Sequence, residues 1–274
     1  MKPADYAALT AQFHPPVVQV SGGEPLLRPD LKKIVQAIKG VNTSPYVILV
    51  TNASLLDATR YLELKKLGVD RFSISLDFPD ERHDDFRKTS GLYRHLEDTL
   101  PRLADFGYQD IALNSAITRH NLPCLLALAD KAEEWNVFIS YSAYSTLRTG
   151  EQDHFISSKE DLETLRQTMQ ELIQLRKARR RILNSPTALT KTYEFFKNRG
   201  MPDCNAGRRF LVVRPDGDLN PCSMHPNRRY ATQEEVLEDF SKHNRCEGCY
   251  VAIRAYTDRT FWTLLKENVA SFFS

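Results

Sequence analysis

The sequence has no apolar run near the ~18 residues that a membrane helix requires, and Met1-Lys2-Pro3-Ala4-Asp5 opens no secretory signal. It also lacks a surplus of either charge: 37 Lys and Arg against 35 Asp and Glu leave a net +2. That balance excludes a dedicated nucleic-acid binder, whose affinity rests on a strongly basic face. The seven histidines (His14, His83, His95, His120, His154, His225 and His243) show no H-x3-H or H-E-x2-H spacing, so none is assigned as a metal ligand. There is no internal repeat beyond a strand–helix unit and no low-complexity tract. With 42% hydrophobic and 10% aromatic residues, wholesale disorder is excluded. The expectation is a soluble, cytoplasmic protein with no membrane segment and no specific nucleic-acid partner.

What is present is an alternation of two periods. Short β-branched runs at 17–21, 46–50, 71–76, 111–117 and 137–144 alternate with helical stretches at 29–38, 55–67, 80–86, 93–106 and 122–135, several of them closed by Gly40, Gly68 or Gly107. No hairpin signal separates these strands, so they must run parallel under covering helices. Near residue 150 the pattern changes to one long polar-faced helix, 158–181, and a second helix at about 187–198, then to a hairpin whose turn carries Asp216-Gly217. Further helices are expected at about 233–241 and 253–273. The fold class expected is α/β, a partial parallel (β/α) barrel of five strands with a small C-terminal cysteine-rich domain. Its divisions are expected at 1–155, a helical connection at 156–200, and 201–274.

Ligands of parallel α/β sheets bind at the carboxyl ends of the strands. There, Gly22-Gly23-Glu24-Pro25 follows the first strand. The glycines admit a ligand close to the backbone, Glu24 offers an acceptor for an ammonium group, and Pro25 restricts the exit of the loop. A plain βα turn is the alternative reading. Thr51 and Asn52 lie at the same level after the second strand. Ser73, Ser75 and Asp77 alternate on one face of the third. Asn114 and Ser115, late in the fourth strand, read equally well as structural. Arg176, Lys177, Arg179, Arg180 and Arg181 crowd one helix end, where the macrodipole favours cations.

Of five cysteines, Cys204, Cys222, Cys246 and Cys249 form C-x17-C-x23-C-x2-C. The C-x2-C pair chelates from one tight turn, and the first two cysteines bracket the hairpin. Four thiolates suit zinc or an iron–sulfur cluster, between which spacing does not choose. Cys124 follows Pro123 at a helix start and is expected to be buried and apart.

Taken together, these segments resemble the radical S-adenosylmethionine (radical SAM) superfamily. The run Val17–Leu27 is similar to the strand and GGEP loop that hold the methionine amino group of the cofactor. Thr51-Asn52 and Ser73-Ile74-Ser75-Leu76-Asp77 resemble the motifs that contact its carboxylate and ribose. Cys204-Asn205-Ala206-Gly207, Pro215-Asp216-Gly217-Asp218, Pro221-Cys222 and Cys246-Glu247-Gly248-Cys249 resemble a SPASM/Twitch auxiliary-cluster domain. The resemblance implies S-adenosylmethionine at Gly22, Gly23, Glu24, Pro25, Thr51, Asn52, Ser73, Ser75 and Asp77. It also implies one auxiliary [4Fe–4S] cluster on the four cysteines and an electron donor such as ferredoxin or flavodoxin. The reaction implied is reductive cleavage to a 5′-deoxyadenosyl radical that modifies a peptide, protein or small molecule. No residue is named as a catalytic acid or base.

One defining element of that family is not in these residues. Its C-x3-C-x2-C belongs upstream of GGEP, and residues 1–21 contain no cysteine. The expectation is an N-terminally shortened form of a normal enzyme, which would bind S-adenosylmethionine weakly at best and form no 5′-deoxyadenosine as it stands. The alternatives are a non-catalytic cofactor- or peptide-binding module and a zinc-stabilised α/β protein.

Overall fold

β-Branched and aliphatic residues set the five strands of the main sheet, because their stiff side chains pack well on a pleated, half-covered surface. A computed structural model describes residues 1–258. In it, α1 (Pro3–Phe13) precedes β1 (Val17–Val20), and α2 (Leu31–Lys39) leads to β2 (Tyr46–Thr51). Next come α3 (Ala58–Lys66), β3 (Arg71–Ser75), α4 (Arg82–Arg87), α5 (Leu92–Ala104) and β4 (Ile111–Ile117), then α6 (Leu125–Glu134) and β5 (Phe138–Ala143). The strand order is β1-β2-β3-β4-β5. The first four pair in parallel, with Val18 opposite Val47, Leu49 opposite Phe72 and Ile74 opposite Leu113.

That register separates two faces. Val47, Leu49, Phe72, Ile74 and Leu113 are all inaccessible and form the helix-covered core. α2 contributes Leu31, Ile34, Val35 and Ile38 at helical spacing. Ile34 and Ile38 close on Val47, with Tyr6, Val18 and Val20 packed against them. The opposite face carries Val50 beside Ser73 and Ser75 beside Asn114, all only half-buried. The parallel α/β architecture expected from the sequence is therefore present.

The chain divides into two compact units: Met1–Ser115 with Ala127–Ser140, and Ala116–Leu126 with the residues from Tyr141 on. In the second, α7 (Lys159–Arg179) and α8 (Pro186–Asn198) begin at Ser158 and Ser185, whose hydroxyls accept from Asp161 and Ala188 N–H. The hairpin expected around Asp216-Gly217 is formed by β6 (Val212–Val213) and β7 (Leu219–Asn220), paired antiparallel. Gly217, at φ +103°, takes the left-handed conformation that the turn demands. A short helix α9 (Gln233–Glu235), begun by a capping box between Thr232 and Glu235, runs on as a wider turn over Val236–Ser241. Of the helix expected at 253–273, α10 (Ala252–Thr257) is seen, and the rest lies outside the described residues. Among the described residues no helix is long and apolar enough to cross a membrane.

Candidate functional site

The loop after β1 is organised by Glu24. Gly22 turns at φ +143°, a conformation nearly closed to other residues, and the space where its Cβ would lie is open. Glu24 then caps the 3-10 turn Pro25–Leu27, its Oε1 accepting from Leu26 N–H at 3.1 Å. The same oxygen accepts from the Thr51 hydroxyl at 2.5 Å, and Oε2 accepts from Asn52 N–H at 2.8 Å. One carboxylate thus ties the β1 loop to the end of β2, and about one of its roughly four acceptor sites stays unused. The β2 end is itself braced. Ala53 N–H donates to the Thr51 oxygen at 2.9 Å, Ser54 N–H to Asn52 Oδ1 at 2.9 Å, and His95 Nε2 lies 3.1 Å from both the Ala53 and Leu56 carbonyls.

The residues expected at a cofactor site fall into three groups. Gly22 and Gly23 are exposed, and Ser73 and Ser75 share the half-open sheet face. Thr51 pairs with Ile74 on the covered face, is 3% exposed, and acts through Glu24. Pro25 is buried in its turn. Asp77 departs from the expected alternation with Ser73 and Ser75. The strand ends at Ser75, and the Asp77 side chain turns inward, wholly inaccessible, onto Arg87 of α4 with Nε at 2.7 Å and Nη2 at 2.6 Å. It anchors the β3–α4 connection instead of lining an open cleft. Ser115 is fully buried, in keeping with its structural reading.

His83 backs this ion pair. Its Nδ1 accepts from Asp77 N–H at 3.2 Å, so the ring is neutral with its proton on Nε2, an atom with no hydrogen-bond partner. Burial, only partly opposed by Asp77, pushes its pKa down to about 4. The unfolded chain binds that proton near pH 6.5. Stability should therefore be intact above pH 6.5 and fall by about 3 kcal/mol as the pH drops to about 4. Denaturant unfolding of wild type and His83→Gln at pH 7, 5.5 and 4.5 measures this. Equal slopes in the two proteins would rule His83 out as the source.

In the second unit, Cys204, Cys222, Cys246 and Cys249 come from three stretches of chain and line one mostly enclosed cavity. Its other walls include Ala206, Phe210, Met224, Phe240, Ile253 and Arg254. The hairpin carries Cys222 back towards Cys204, and Gly207 makes the approach possible. A Cβ there would lie 2.2 Å from Ser241 Oγ and 2.7 Å from Val236 Cγ1. Asn244 holds both sides, donating to the Cys204 carbonyl at 2.8 Å and accepting from Cys246 N–H at 3.0 Å. Burial pushes the Cys222 thiol up to about 12 and Cys249 to about 11, and raises Cys246 as well. A metal entering the cavity must displace those protons. Among the described residues no three His, Cys, Asp or Glu are grouped to share a single metal ion. Cys124 is buried in the turn Leu122–Cys124 and is not part of the cavity.

Arg254 was not singled out by the sequence. It is fully buried, donating from Nη1 to the Cys249 and Met201 carbonyls at 2.5 and 2.8 Å and from Nη2 to the Pro202 carbonyl at 2.7 Å. Its Nε pairs with Asp258 at 2.9 Å. The Arg254–Asp258 spacing of four was a legible pair, but its burial against cysteines was not.

Comparison with known proteins finds similarity that is centred on the first unit. The model of the radical SAM superfamily matches residues 2–123. The AdoMet-dependent heme synthase of Methanosarcina barkeri is 33% identical over 149 residues, 52% of this chain and 40% of that protein. The PqqA peptide cyclase of Granulibacter bethesdensis is 28% identical over 209 residues, 74% of this chain and 53% of that protein. The crystal structure of Streptococcus suis SuiB bound to S-adenosylmethionine shares the fold, with a TM-score of 0.62 at 20% identity, covering 87% of this chain and 57% of that one. The chain thus spans about half the length of the proteins it resembles. The family model lies over the parallel sheet and its GGEP loop, and the relatives agree with it, so over residues 2–123 this chain is similar to the radical SAM superfamily, whose fold it shares.

Proposed function

We propose that the first unit binds S-adenosylmethionine at the Gly22–Pro25 loop, that the second holds an auxiliary [4Fe–4S] cluster, and that the protein of which these are parts modifies a peptide, protein or small-molecule substrate. The observation that carries the reading is the convergence of Cys204, Cys222, Cys246 and Cys249 on one cavity in a chain similar to radical SAM proteins. Zinc bound by four thiolates at about 2.3 Å would need sulfurs roughly 3.8 Å apart. A cluster takes one thiolate per iron, and the likeness of the first unit to radical SAM proteins favours iron–sulfur over structural zinc.

At the first site, Glu24 is the acceptor for the ligand's ammonium group, held by Thr51 and Asn52 so that it cannot swing away. Gly22 and Gly23 leave the backbone open to a close approach. Ser73 and Ser75 offer hydroxyls on the half-open face for its polar groups. Asp77 and Arg87 keep the β3–α4 connection in place. When bound and reduced, S-adenosylmethionine supplies a 5′-deoxyadenosyl radical that takes hydrogen from a substrate. Residues 1–274 hold no three-cysteine set for the cluster that performs this reduction, since Cys124 stands alone outside the 204–249 group. No radical step is therefore derived from them. A peptide substrate is supported by the relative named as a PqqA peptide cyclase. An external reductant of the ferredoxin or flavodoxin class completes the proposal.

Two measurements test it. Anaerobic reconstitution should give about four iron and four sulfide per chain. Stoichiometric zinc without sulfide would transfer the site to the structural-metal reading. Equilibrium dialysis should show saturable S-adenosylmethionine binding that Glu24→Gln weakens about tenfold, the effect of losing one charged hydrogen bond. Unchanged binding in that variant would remove Glu24 from the site.

A further inference from the structure

We infer that Arg254 sets the reduction potential of the iron–sulfur group at Cys204, Cys222, Cys246 and Cys249, its buried positive charge favouring the reduced state. The inference rests on the four-cysteine reading proposed above.

The position of the guanidinium is the first argument. Arg254 lines the cysteine cavity, and its counter-ion Asp258 does not. A group inside the cavity meets the cation before the anion. The second argument is burial. The Arg254 side chain is 1% exposed and that of Asp258 12%, so water screens the charge little. The third is orientation. Nε is spent on Asp258, while Nη1 and Nη2 are spent on three carbonyls, two of them just ahead of Cys204 and one on Cys249 itself. The guanidinium is fixed by the same backbone that carries two of the cysteines, and cannot swing away when the cluster changes charge. A buried ion pair contributes little to stability compared with an apolar pair of the same shape. The arrangement is therefore better suited to placing a charge than to holding the fold.

A [4Fe–4S] unit on four thiolates is anionic and gains one negative charge on reduction. Net charge, burial and hydrogen bonding near the sulfurs are what tune its potential. A fixed cation at the cavity wall lowers the cost of the added electron. Removing the cation should make the cluster harder to reduce, and removing its counter-ion should make it easier.

The test is a redox titration followed by electron paramagnetic resonance on reconstituted wild type, Arg254→Gln, Arg254→Lys and Asp258→Asn. At a fixed applied potential, Arg254→Gln should lower the ratio of reduced to oxidised cluster about tenfold, which is a fall of about 59 mV for a one-electron couple. Arg254→Lys keeps the charge and should stay within about twofold of wild type. Asp258→Asn keeps an oxygen for Nε but removes the negative charge, and should shift the ratio in the opposite direction. A purely structural clamp would instead give lower iron and sulfide content in all variants, with the potential of the remaining clusters unchanged. That result, or a shift of the same sign in Arg254→Gln and Asp258→Asn, overturns the inference. If Arg254→Gln does not assemble, the sign of the Asp258→Asn shift alone decides. Wild type that takes up no iron and sulfide would defeat the four-cysteine reading, a separate outcome.

Discussion

Serine at position 249 should abolish the iron–sulfur centre. The Cys249 side chain is 4% exposed and shares its cavity with three other cysteines. His225 lines the same cavity, but among the described residues no three His, Cys, Asp or Glu are grouped to hold a single metal ion. A serine oxygen is a harder, shorter ligand, and at neutral pH it stays protonated where a thiol yields its proton to iron. Iron and sulfide per chain should fall at least tenfold in Cys249→Ser and equally in Cys222→Ser, after the same anaerobic reconstitution. Cys124→Ser is the control, since that thiol lies outside the cavity and should leave the content at the wild-type level. Retention of full iron and sulfide by Cys249→Ser, or its loss in Cys124→Ser, would reject the four-thiolate assignment. The unloaded variants should unfold at nearly the temperature of wild type that has not been reconstituted, because the substitution removes little buried volume, and below that of the loaded wild type.

The second large effect is expected at Arg87. The Asp77 carboxylate is wholly buried, and Arg87 places two nitrogens on its Oδ2, at 2.7 Å and 2.6 Å. Methionine at position 87 preserves the length of the side chain and removes the cation. Breaking one side of a buried pair strands the other charge, at a cost of about 3 kcal/mol or more. For a unit of this size that corresponds to a fall in Tm of about 10 °C. The double variant Arg87→Met/Asp77→Leu should regain most of the loss, because it leaves no unpaired charge. A fall of under about 1 kcal/mol in Arg87→Met would mean that Asp77 is held by its other neighbours. The loss should extend to S-adenosylmethionine binding, since Asp77 closes the strand that presents Ser73 and Ser75.

Much of this was legible before any coordinates. The strand–helix alternation and the Gly-Gly-Glu-Pro loop are local properties, read within a few residues, and the C-x17-C-x23-C-x2-C spacing is visible along the chain although its convergence is not. The ends of the five sheet strands fall within one residue of those expected, because β-branched runs and glycine stops mark them. Asp77 departs from the alternation of Ser73 and Ser75 for a physical reason. Alternation predicts a face only while the backbone stays extended, and the strand stops two residues earlier. The pull of Arg87, ten positions later, has no period to reveal it.

By itself, then, the sequence determined the α/β class, the resemblance of its motifs and the candidate ligand types, because hydrophobic period and short motifs are encoded in neighbouring residues. The tertiary structure decided the rest. It bound Glu24 to Thr51 and Asn52, 27 and 28 positions away. It turned Asp77 inward and gathered four cysteines, spread over 204–249, around one cavity. It also buried Arg254 beside them. Each of these depends on which distant segments share a low-dielectric interior, where every charge must find a partner, and no local pattern records that choice.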